Sequence, residues 1–405
     1  GFFAGVWGLS LPFVFLIGLS FYTILVAKKW KRLNASSVAE LFTLRYNPFL
    51  GKVASLFLLT AMLGFSANYI KSMQILFQPI FQDIHPYFLS LILITIILLI
   101  TLKGGLVSII QTDLISFFGT MIFIPLLFIF SFKSANTNFS GSIFSIPLED
   151  GEKILPTKFI LSLIILTMFT YIAAPWYGQK IFAAKSEKIA FRSVGIASIL
   201  VFLLYGFPVL AVYYLKIGGT QLQNSETGVA FIVNKLFSPG FKGFGYFILF
   251  CAGATTLGGV WSAMTTMVVT DISNSQIDDN RGTKRSIYIT IFIVILSYIV
   301  SITFIDKVLD KLILANIPIA ALSFGLIAGF YWKKASSVGV IASLVFGLFW
   351  GIFCYTYFGE KGNYTWYWAA YGIPGIFIFG IIFSLLFPQK GRELENLKSF
   401  ENRMN

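Results

Sequence analysis

Long apolar segments recur along the whole of this chain, and short polar connections separate them. A helix needs about 20 apolar residues to cross the hydrocarbon core of a bilayer. The pattern predicts eleven membrane-spanning helices with no soluble domain between them. We place these spans at residues 4–28, 50–79, 84–103, 107–133, 158–179, 190–216, 243–273, 285–306, 310–332, 336–357 and 364–387.

Two of the predicted spans contain helix-breaking residues. The fifth includes Pro175 and Gly178, and the ninth includes Asn316 and Pro318. Proline removes a backbone donor and clashes with the preceding turn of a helix. Proline kinks are ordinary in membrane helices, but transporters also bind ligands where a helix is broken at membrane depth. We therefore expect an interruption in each of these two spans.

The composition agrees with an all-α, multi-pass protein of the cell membrane, either a plasma membrane or an inner membrane. The 405 residues are 57% hydrophobic and only 12% charged. Soluble domains have about 25% charged residues. The bilayer is therefore the predicted environment of nearly the whole chain.

The net charge of +13 follows from an uneven distribution of basic residues. If Gly1 is outside, 20 of the 30 lysines and arginines fall in inside connections, nine fall in outside connections, and Lys71 lies within a span. This asymmetry is the positive-inside pattern of membrane proteins. It predicts an outside N-terminus and a cytoplasmic C-terminus, and it explains the basic charge without a nucleic acid partner.

Few residues are suited to catalysis or to binding a transition metal. Cys251 and Cys354 both lie in predicted spans, so we expect buried free thiols rather than a disulfide framework. His85 is the only histidine and falls in a predicted outside turn. We therefore expect neither an enzyme nor a protein with an organic cofactor.

The seventh predicted span is apolar but carries an adjacent pair of hydroxyls, Thr255 and Thr256, with Ala252 one turn earlier. A hydroxyl inside a bilayer is costly unless it has a partner. Such neutral oxygens can coordinate a hard cation, which makes a sodium site one hypothesis. The alternative is that each threonine bonds to its own helix and that the small residues allow neighbouring helices to approach.

Two charged residues fall near or within predicted spans. Asp113 lies at the inner end of the fourth span, and an intramembrane carboxylate is a candidate functional group. It could instead reach water or pair with Lys103 at the membrane boundary. Lys71 lies in the second span, and we expect its long side chain to extend to the outer interface.

Four separated segments resemble the sodium:solute symporter family, and they occur in the family's order. They are Ala39-Glu-Leu-Phe-Thr-Leu-Arg-Tyr46, Gly104-Gly-Leu-Val-Ser-Ile-Ile-Gln-Thr-Asp113, Gln179-Lys-Ile-Phe-Ala-Ala-Lys185, and Pro239–Phe244 followed by the stretch from Ala252 to Asp271. Lys180 replaces an arginine that is usual in the third segment. The resemblance extends from Gly1 to about Pro388.

The resemblance implies a leucine-transporter-like fold with two inverted repeats of five helices. It implies a single transmembrane domain at 1–388, in which 1–133 is the remainder of the first repeat and 158–333 is the second. Residues 334–388 would be peripheral helices, and 389–405 a short cytoplasmic tail. The first span resembles the family's second core helix, so two N-terminal helices are missing, either because the chain is a fragment, which we favour, or because it is degenerate.

The resemblance also implies roles for particular residues. The sodium ligands would be the Ala252 carbonyl and the hydroxyls of Thr255 and Thr256. Asp113 would act in sodium release or coupling. The candidates for facing the substrate are Tyr171 beside the break in the fifth span, Asn68, and Trp176, although an aromatic residue such as Trp176 is commonly a packing residue.

A further expectation concerns stoichiometry. Many family members follow the hydroxyl pair with an aspartate and a serine that help to bind a second sodium. This chain has Gly258 and Gly259 instead, which favours one sodium per cycle.

The function that the resemblance implies is sodium-coupled import of a small organic solute by alternating access, with Na+ as the coupling ion. Two alternatives differ in class. A proton-coupled transporter of the same fold would use Asp113 as the proton carrier, and its uptake would follow pH. A transporter-like solute sensor would need a signalling domain, for which the 17 residues after Pro388 leave no room unless the chain is also cut there.

Overall fold

The computed structural model describes residues 1–35, 37–136, 147–222, 224–272, 280–359 and 363–404, without the side chains of 103–111, 179 and 280–283. Over these residues the chain is helical and contains no strand, as the sequence predicts. The α-helices are α1 Ser10–Tyr22, α2 Lys28–Leu33, α3 Glu40–Arg45, α4 Pro48–Phe77, α5 Pro86–Asn136, α6 Leu148–Ile154, α7 Thr157–Tyr171, α8 Pro175–Phe182, α9 Glu187–Ile217, α10 Gly228–Leu236, α11 Pro239–Met267, α12 Asn280–Thr303, α13 Val308–Ala315, α14 Ile317–Ala321, α15 Ser323–Tyr331, α16 Ser337–Phe358, α17 Tyr364–Tyr367, α18 Ile373–Leu386 and α19 Arg392–Met404.

Within the described residues, nine helices are long and apolar enough to cross a membrane. A tenth span results if α6 and α7, which meet at a bend of 62°, are counted together. The predicted third span corresponds to a shorter apolar helix, Pro86–Leu102. Every predicted span therefore has a helical counterpart, and the multi-pass prediction is confirmed.

The third and fourth predicted spans form one continuous helix, α5, of 51 residues. A straight helix of that length would be about 76 Å long. However, Ala135, near the end of α5, contacts Gly218. Gln78, before the start of α5, lines a cleft together with Asn224, which is six residues after Gly218 in the chain. Both ends of α5 therefore lie at the same end of the bundle. A single straight helix cannot do this, so the two apolar parts of α5, Pro86–Leu102 and Thr112–Ala135, cross the bundle in opposite directions, as two spans require.

The bundle has two distinct ends. We call the end that carries Arg32, Arg45, Lys180 and Lys333 the basic end, and the opposite end, with Trp7 and Lys216, the far end. Helix α5 packs against both α9 and α11. Helix α1 packs against α7 and α9, and α4 packs against α11 and α12. The side chains between these helices form one continuous hydrophobic core.

Both predicted interruptions are present. Helix α7 ends at Tyr171 and α8 begins at Pro175, so three residues separate the two helices. In the ninth span, α13 ends at Ala315 and α14 begins at Ile317, with Pro318 in its first turn. The prolines begin new helices because they need no backbone hydrogen-bond acceptor there.

The last residues of the chain form a helix rather than an irregular tail. Helix α19 is amphipathic and packs on the basic end, where Phe400 is buried and its ring lies 6.2 Å from that of Phe330. Asn396 donates a 2.7 Å hydrogen bond to the Tyr46 carbonyl. The hydrophobic side of α19 is therefore part of the bundle.

Candidate sodium site

Helix α11 carries the predicted hydroxyl pair and is closely packed by its neighbours. Ser238 and Pro239 begin the helix, which continues for 29 residues. A methyl group at Gly253 would lie 2.7 Å from the Met73 sulfur of α4, and one at Gly245 would lie 2.5 Å from the Phe123 ring of α5. Glycine at these two positions allows the neighbouring helices to approach α11 closely.

The two hydroxyls of the pair share one acceptor. Thr256 Oγ1 donates to the Ala252 carbonyl at 2.8 Å, and Thr255 Oγ1 donates to the same carbonyl at 3.2 Å. Three neutral oxygens therefore lie next to one another on a single turn. Each threonine bonds to its own helix, as the packing interpretation predicts. The three oxygens also lie together, as the sodium interpretation requires.

This arrangement leaves the hydroxyls available to a cation. A hydroxyl that donates its proton still has lone pairs for a second interaction. Thr255 is buried, but Thr256 and Ala252 are half-buried, as is Gly259 one turn further on. A methyl group at Gly259 would meet no atom within 4 Å, so there is open space beside this face of the helix. The turn can therefore offer oxygen ligands towards that space.

Other polar groups of α11 bind to neighbouring helices. Trp261 Nε1 donates to Ser66 Oγ of α4 at 2.7 Å, and both side chains are fully buried. The hydroxyls of Thr265 and Thr290 of α12 lie 2.8 Å apart. The sequence does not predict these contacts, since no pattern in the chain links residues so far apart.

Asp113 lies at the basic end rather than beside the hydroxyl pair. Its carboxylate is 3.9 Å from Lys180 Nζ, and both side chains are substantially exposed. Such an exposed pair contributes little free energy. The observed partner is Lys180, while the side chain of Lys103 lies outside the described residues. A boundary carboxylate paired with lysine is therefore the arrangement found.

The interruption between α7 and α8 is surrounded by aromatic rings. The Tyr171 ring lies 5.0 Å from that of Tyr177 and is stacked at 6.3 Å on Phe15 of α1. The Trp176 ring lies 4.5 Å from that of Phe65 of α4. The structure thus brings Tyr171 and Trp176 into one aromatic cluster formed by four helices.

Asn68 is placed differently from the two aromatic candidates. It is buried, and its Nδ2 donates to the Gly64 carbonyl of its own helix at 2.8 Å, while its Oδ1 has no hydrogen-bond partner. A methyl group at Gly64 would lie 2.8 Å from Ala315 of α13. No contact joins Asn68 to the aromatic cluster among the interactions of the described side chains.

Two other sequence expectations can be compared with the structure. Cys251 and Cys354 are both free and buried, as predicted. His85 lies in the exposed turn before α5, where its Nδ1 accepts a weak 3.4 Å hydrogen bond from the Tyr87 amide. Neither residue type contributes to the candidate site.

The fold and the hydroxyl-bearing helix together define a multi-pass membrane transporter. Residues 1–347 match the sodium:solute symporter family, and the chain belongs to this family. The protein is therefore a sodium-coupled symporter of the membrane and not an enzyme, and its partners are sodium and a small-molecule solute.

One solved structure shows the same fold. It is described as a Na+-coupled sialic acid symporter in a substrate-bound, outward-open state with a novel Na+ site. The likeness has a TM-score of 0.70 at 19% identity and covers 96% of this chain and 91% of the other. A comparison with curated proteins finds no match.

Proposed function

We propose that the protein imports a small organic solute together with one sodium ion by alternating access, and that sodium binds at Ala252, Thr255 and Thr256. The observation that carries the proposal is the convergence of both threonine hydroxyls on the Ala252 carbonyl. Rotation of the hydroxyls away from this carbonyl would present three neutral oxygens to a hard cation.

The two interruptions support a binding region at the level of the broken helices. Helix α7 ends at Tyr171, where an aromatic cluster surrounds backbone groups outside regular helix. Transporters commonly bind their substrates at such interruptions. The aromatic cluster, with Tyr171 and Trp176, is therefore the proposed solute-facing surface, and Asn68 is a less direct candidate because its side chain bonds to its own helix.

Sodium coupling would give substantial accumulation of a solute. A membrane potential of about 100 mV acting on one charge contributes about 2.3 kcal/mol. A tenfold sodium gradient adds about 1.4 kcal/mol, and the total supports roughly 500-fold accumulation. The positive-inside rule places the basic end in the cytoplasm, so sodium and solute would be released there.

The test is thermal unfolding of the purified protein in detergent, in sodium and in potassium at equal ionic strength. At about 100 times its dissociation constant, a bound ion stabilises the native state by about 2.7 kcal/mol. We expect a sodium-specific rise in melting temperature that Thr256→Ala reduces or abolishes. An equal rise in the variant would exclude Thr256 from the site.

A matched control is available on another helix. Thr60 of α4 donates to the Leu56 carbonyl at 2.9 Å, which is the same local bond as that of Thr256, but its side chain is exposed. Thr60→Ala should retain the full sodium response. Repeating both measurements at two pH values separates sodium coupling from the proton-coupled alternative, in which the response would follow pH instead.

A further inference from the structure

Asp271, at the basic end of α11, has not been assigned a role by the proposed function. Its Oδ2 accepts hydrogen bonds from Ser37 Oγ at 2.9 Å and from Ser55 Oγ at 3.0 Å. Its Oδ1 accepts a third from Thr270 Oγ1 at 2.8 Å. The carboxylate thus holds the hydroxyl of its neighbour Thr270 and two hydroxyls from distant parts of the chain.

The two distant donors, Ser37 and Ser55, belong to parts of the bundle that are held by different contacts. Ser55 is fully buried in α4, and α4 is joined to α11 a second time by the bond between Ser66 and Trp261. The Ser55 bond therefore lies within a pair of helices that is already fastened. Loss of this bond would leave α4 and α11 attached to each other.

Ser37 lies instead in the linker between α2 and α3. This linker follows α1 and α2, and it begins at Asn34, whose backbone is left-handed with φ 49°. Helix α1, before the linker, packs on α7 and α9. Helix α3, after the linker, packs on α4, which in turn packs on α11. The linker therefore connects these two sets of helices. The Ser37–Asp271 bond is the contact by which Asp271 holds this linker.

The backbone around Asp271 is suited to rearrangement. Residues Val268–Ile272 form a π-helical turn, in which each backbone bond spans one residue more than in an α-helix. Such turns are rare and occur frequently at functional sites. The carboxylate is held by neutral hydroxyls, which water can replace when the contact opens.

We infer that Asp271 is a positioning residue that closes the basic end, and that its bond to Ser37 breaks when sodium is released there. The inference rests on the proposed function for the direction of release. Thr256 and Asp271 are 15 residues apart on one helix, which corresponds to about 22 Å along its axis. Opening the linker would expose Asp271 and the linker's own buried side chain, Val38.

Ser37 also stabilises the start of α3, because its Oγ accepts a 3.0 Å hydrogen bond from the Glu40 amide. A test must separate this local effect from the bond to Asp271. Ser37→Asp does so, since aspartate is a good acceptor at a helix start, but its carboxylate repels Asp271. In the double variant Ser37→Asp/Asp271→Asn, the amide introduced at position 271 can donate a hydrogen bond to the carboxylate introduced at position 37.

The experiment measures the rate at which a polar thiol reagent labels Val38→Cys in the linker, in sodium-free detergent solution, after Cys251→Ala and Cys354→Ala. Val38 is 2% exposed in the closed linker, so the reagent reaches this position only when the linker opens. Ser37→Asp should accelerate labelling about tenfold, which corresponds to about 1.4 kcal/mol. The double variant should return the rate towards that of the parent.

Ser55→Ala is the matched control, because it removes a donor from the same carboxylate within the fastened pair. It should leave the labelling rate unchanged, and Gln82→Cys at the exposed far end should react equally in every variant. Unchanged labelling in Ser37→Asp, or an equal increase in Ser55→Ala, would overturn the inference. If Ser37→Asp does not fold, Asp271→Ala serves in the same assay, because it leaves the Ser37–Glu40 bond in place. An increase of about threefold is expected from the loss of the Ser37–Asp271 hydrogen bond.

The outcome is independent of the sodium site. Labelling requires neither sodium binding nor transport, so accelerated labelling without a sodium-specific thermal shift would support the Asp271 contact and reject the sodium proposal. A sodium-specific thermal shift with unchanged labelling would support the sodium proposal and reject the Asp271 contact.

Discussion

The middle and the basic end of α11 use the same kinds of polar group in opposite ways. In the middle, Thr255 and Thr256 bond to Ala252 within their own helix. At the basic end, Asp271 is bonded to Ser37 and Ser55, which lie more than 200 positions earlier in the chain. The two hydroxyls of the first arrangement can rotate without movement of a helix, while breaking the Ser37 bond of the second arrangement would free the linker.

Under the proposed function, this contrast would allow one helix both to bind an ion and to respond to its release. A hydroxyl satisfied by its own backbone can exchange that bond for a cation ligand at small cost. A polar group satisfied by another element contributes to the position of that element, and its loss leaves buried partners without bonds. Four predictions test this contrast, and they are given from the largest expected effect to the smallest.

The largest effect is expected from a buried arginine at the basic end. Arg45 is fully buried, and its Nη2 donates to the Lys333 carbonyl at 3.1 Å and, with longer bonds, to those of Trp332 and Ala335. Arg45→Ala should destabilise the protein by about 3 kcal/mol, because the carbonyls lose their charged donor and a cavity forms. Thermal unfolding in detergent measures this, and Arg192→Ala, at an exposed position, should have little effect.

The second prediction concerns the bond between α4 and α11. Trp261→Phe removes the indole donor to Ser66 and part of a fully buried ring, and we expect a loss of about 2 kcal/mol. The loss should be equal in sodium and potassium, because this contact holds the helices rather than the ion. A loss confined to sodium would place Trp261 in the ion site.

The third prediction compares two threonines of α11 in the absence of sodium. Thr265 is bonded to Thr290 of α12, so Thr265→Val should cost about 1 kcal/mol. Thr256→Val replaces a side chain that bonds only to its own helix in the hydrogen bonds found, and it should cost about half as much or less. Melting temperatures in potassium give both values, and equal losses would contradict the distinction drawn along α11.

The smallest effect is expected from a charge at the far end. Asp306 lies outside the spans, and its pKa is lowered from 3.8, mainly by a hydrogen bond from the Lys307 backbone amide. A carboxyl with a lowered native pKa adds stability above its unfolded pKa, and this stability is lost as the pH falls through the native value. Asp306→Asn should therefore slightly reduce the drop in melting temperature between about pH 5 and pH 2. An unchanged drop would show that this carboxyl does not contribute to the acid response.

The sequence predicted the elements of the fold well, because apolar length and proline position act locally. The span limits agree with the helices, and the interruptions at Pro175 and Asn316 are where the residues predict them. The reversal within α5 is not apparent from its continuous helical backbone, but two apolar segments of span length already require it. The packing of α19 was missed, since its apolar side is short and its residues are mainly polar.

The candidate site was partly predictable for the same reason. Thr255, Thr256 and Ala252 lie within one turn, so their spacing alone places their oxygens together on a helix. Asp271 stood at the end of the same segment, but nothing in the order of residues links it to Ser37. The candidates Tyr171 and Trp176 lie in one cluster, whereas Asn68 bonds to its own helix.

By itself, the sequence determined that this chain is a multi-pass helical membrane protein, which segments are helices, and which oxygens share a turn. These properties depend on apolar length and on spacings of three and four residues. The tertiary structure alone decided which polar groups meet across helices, such as Ser37 with Asp271 and Ser66 with Trp261. In a bilayer almost every helix is apolar, so the partners of the few buried polar groups depend on how the helices pack.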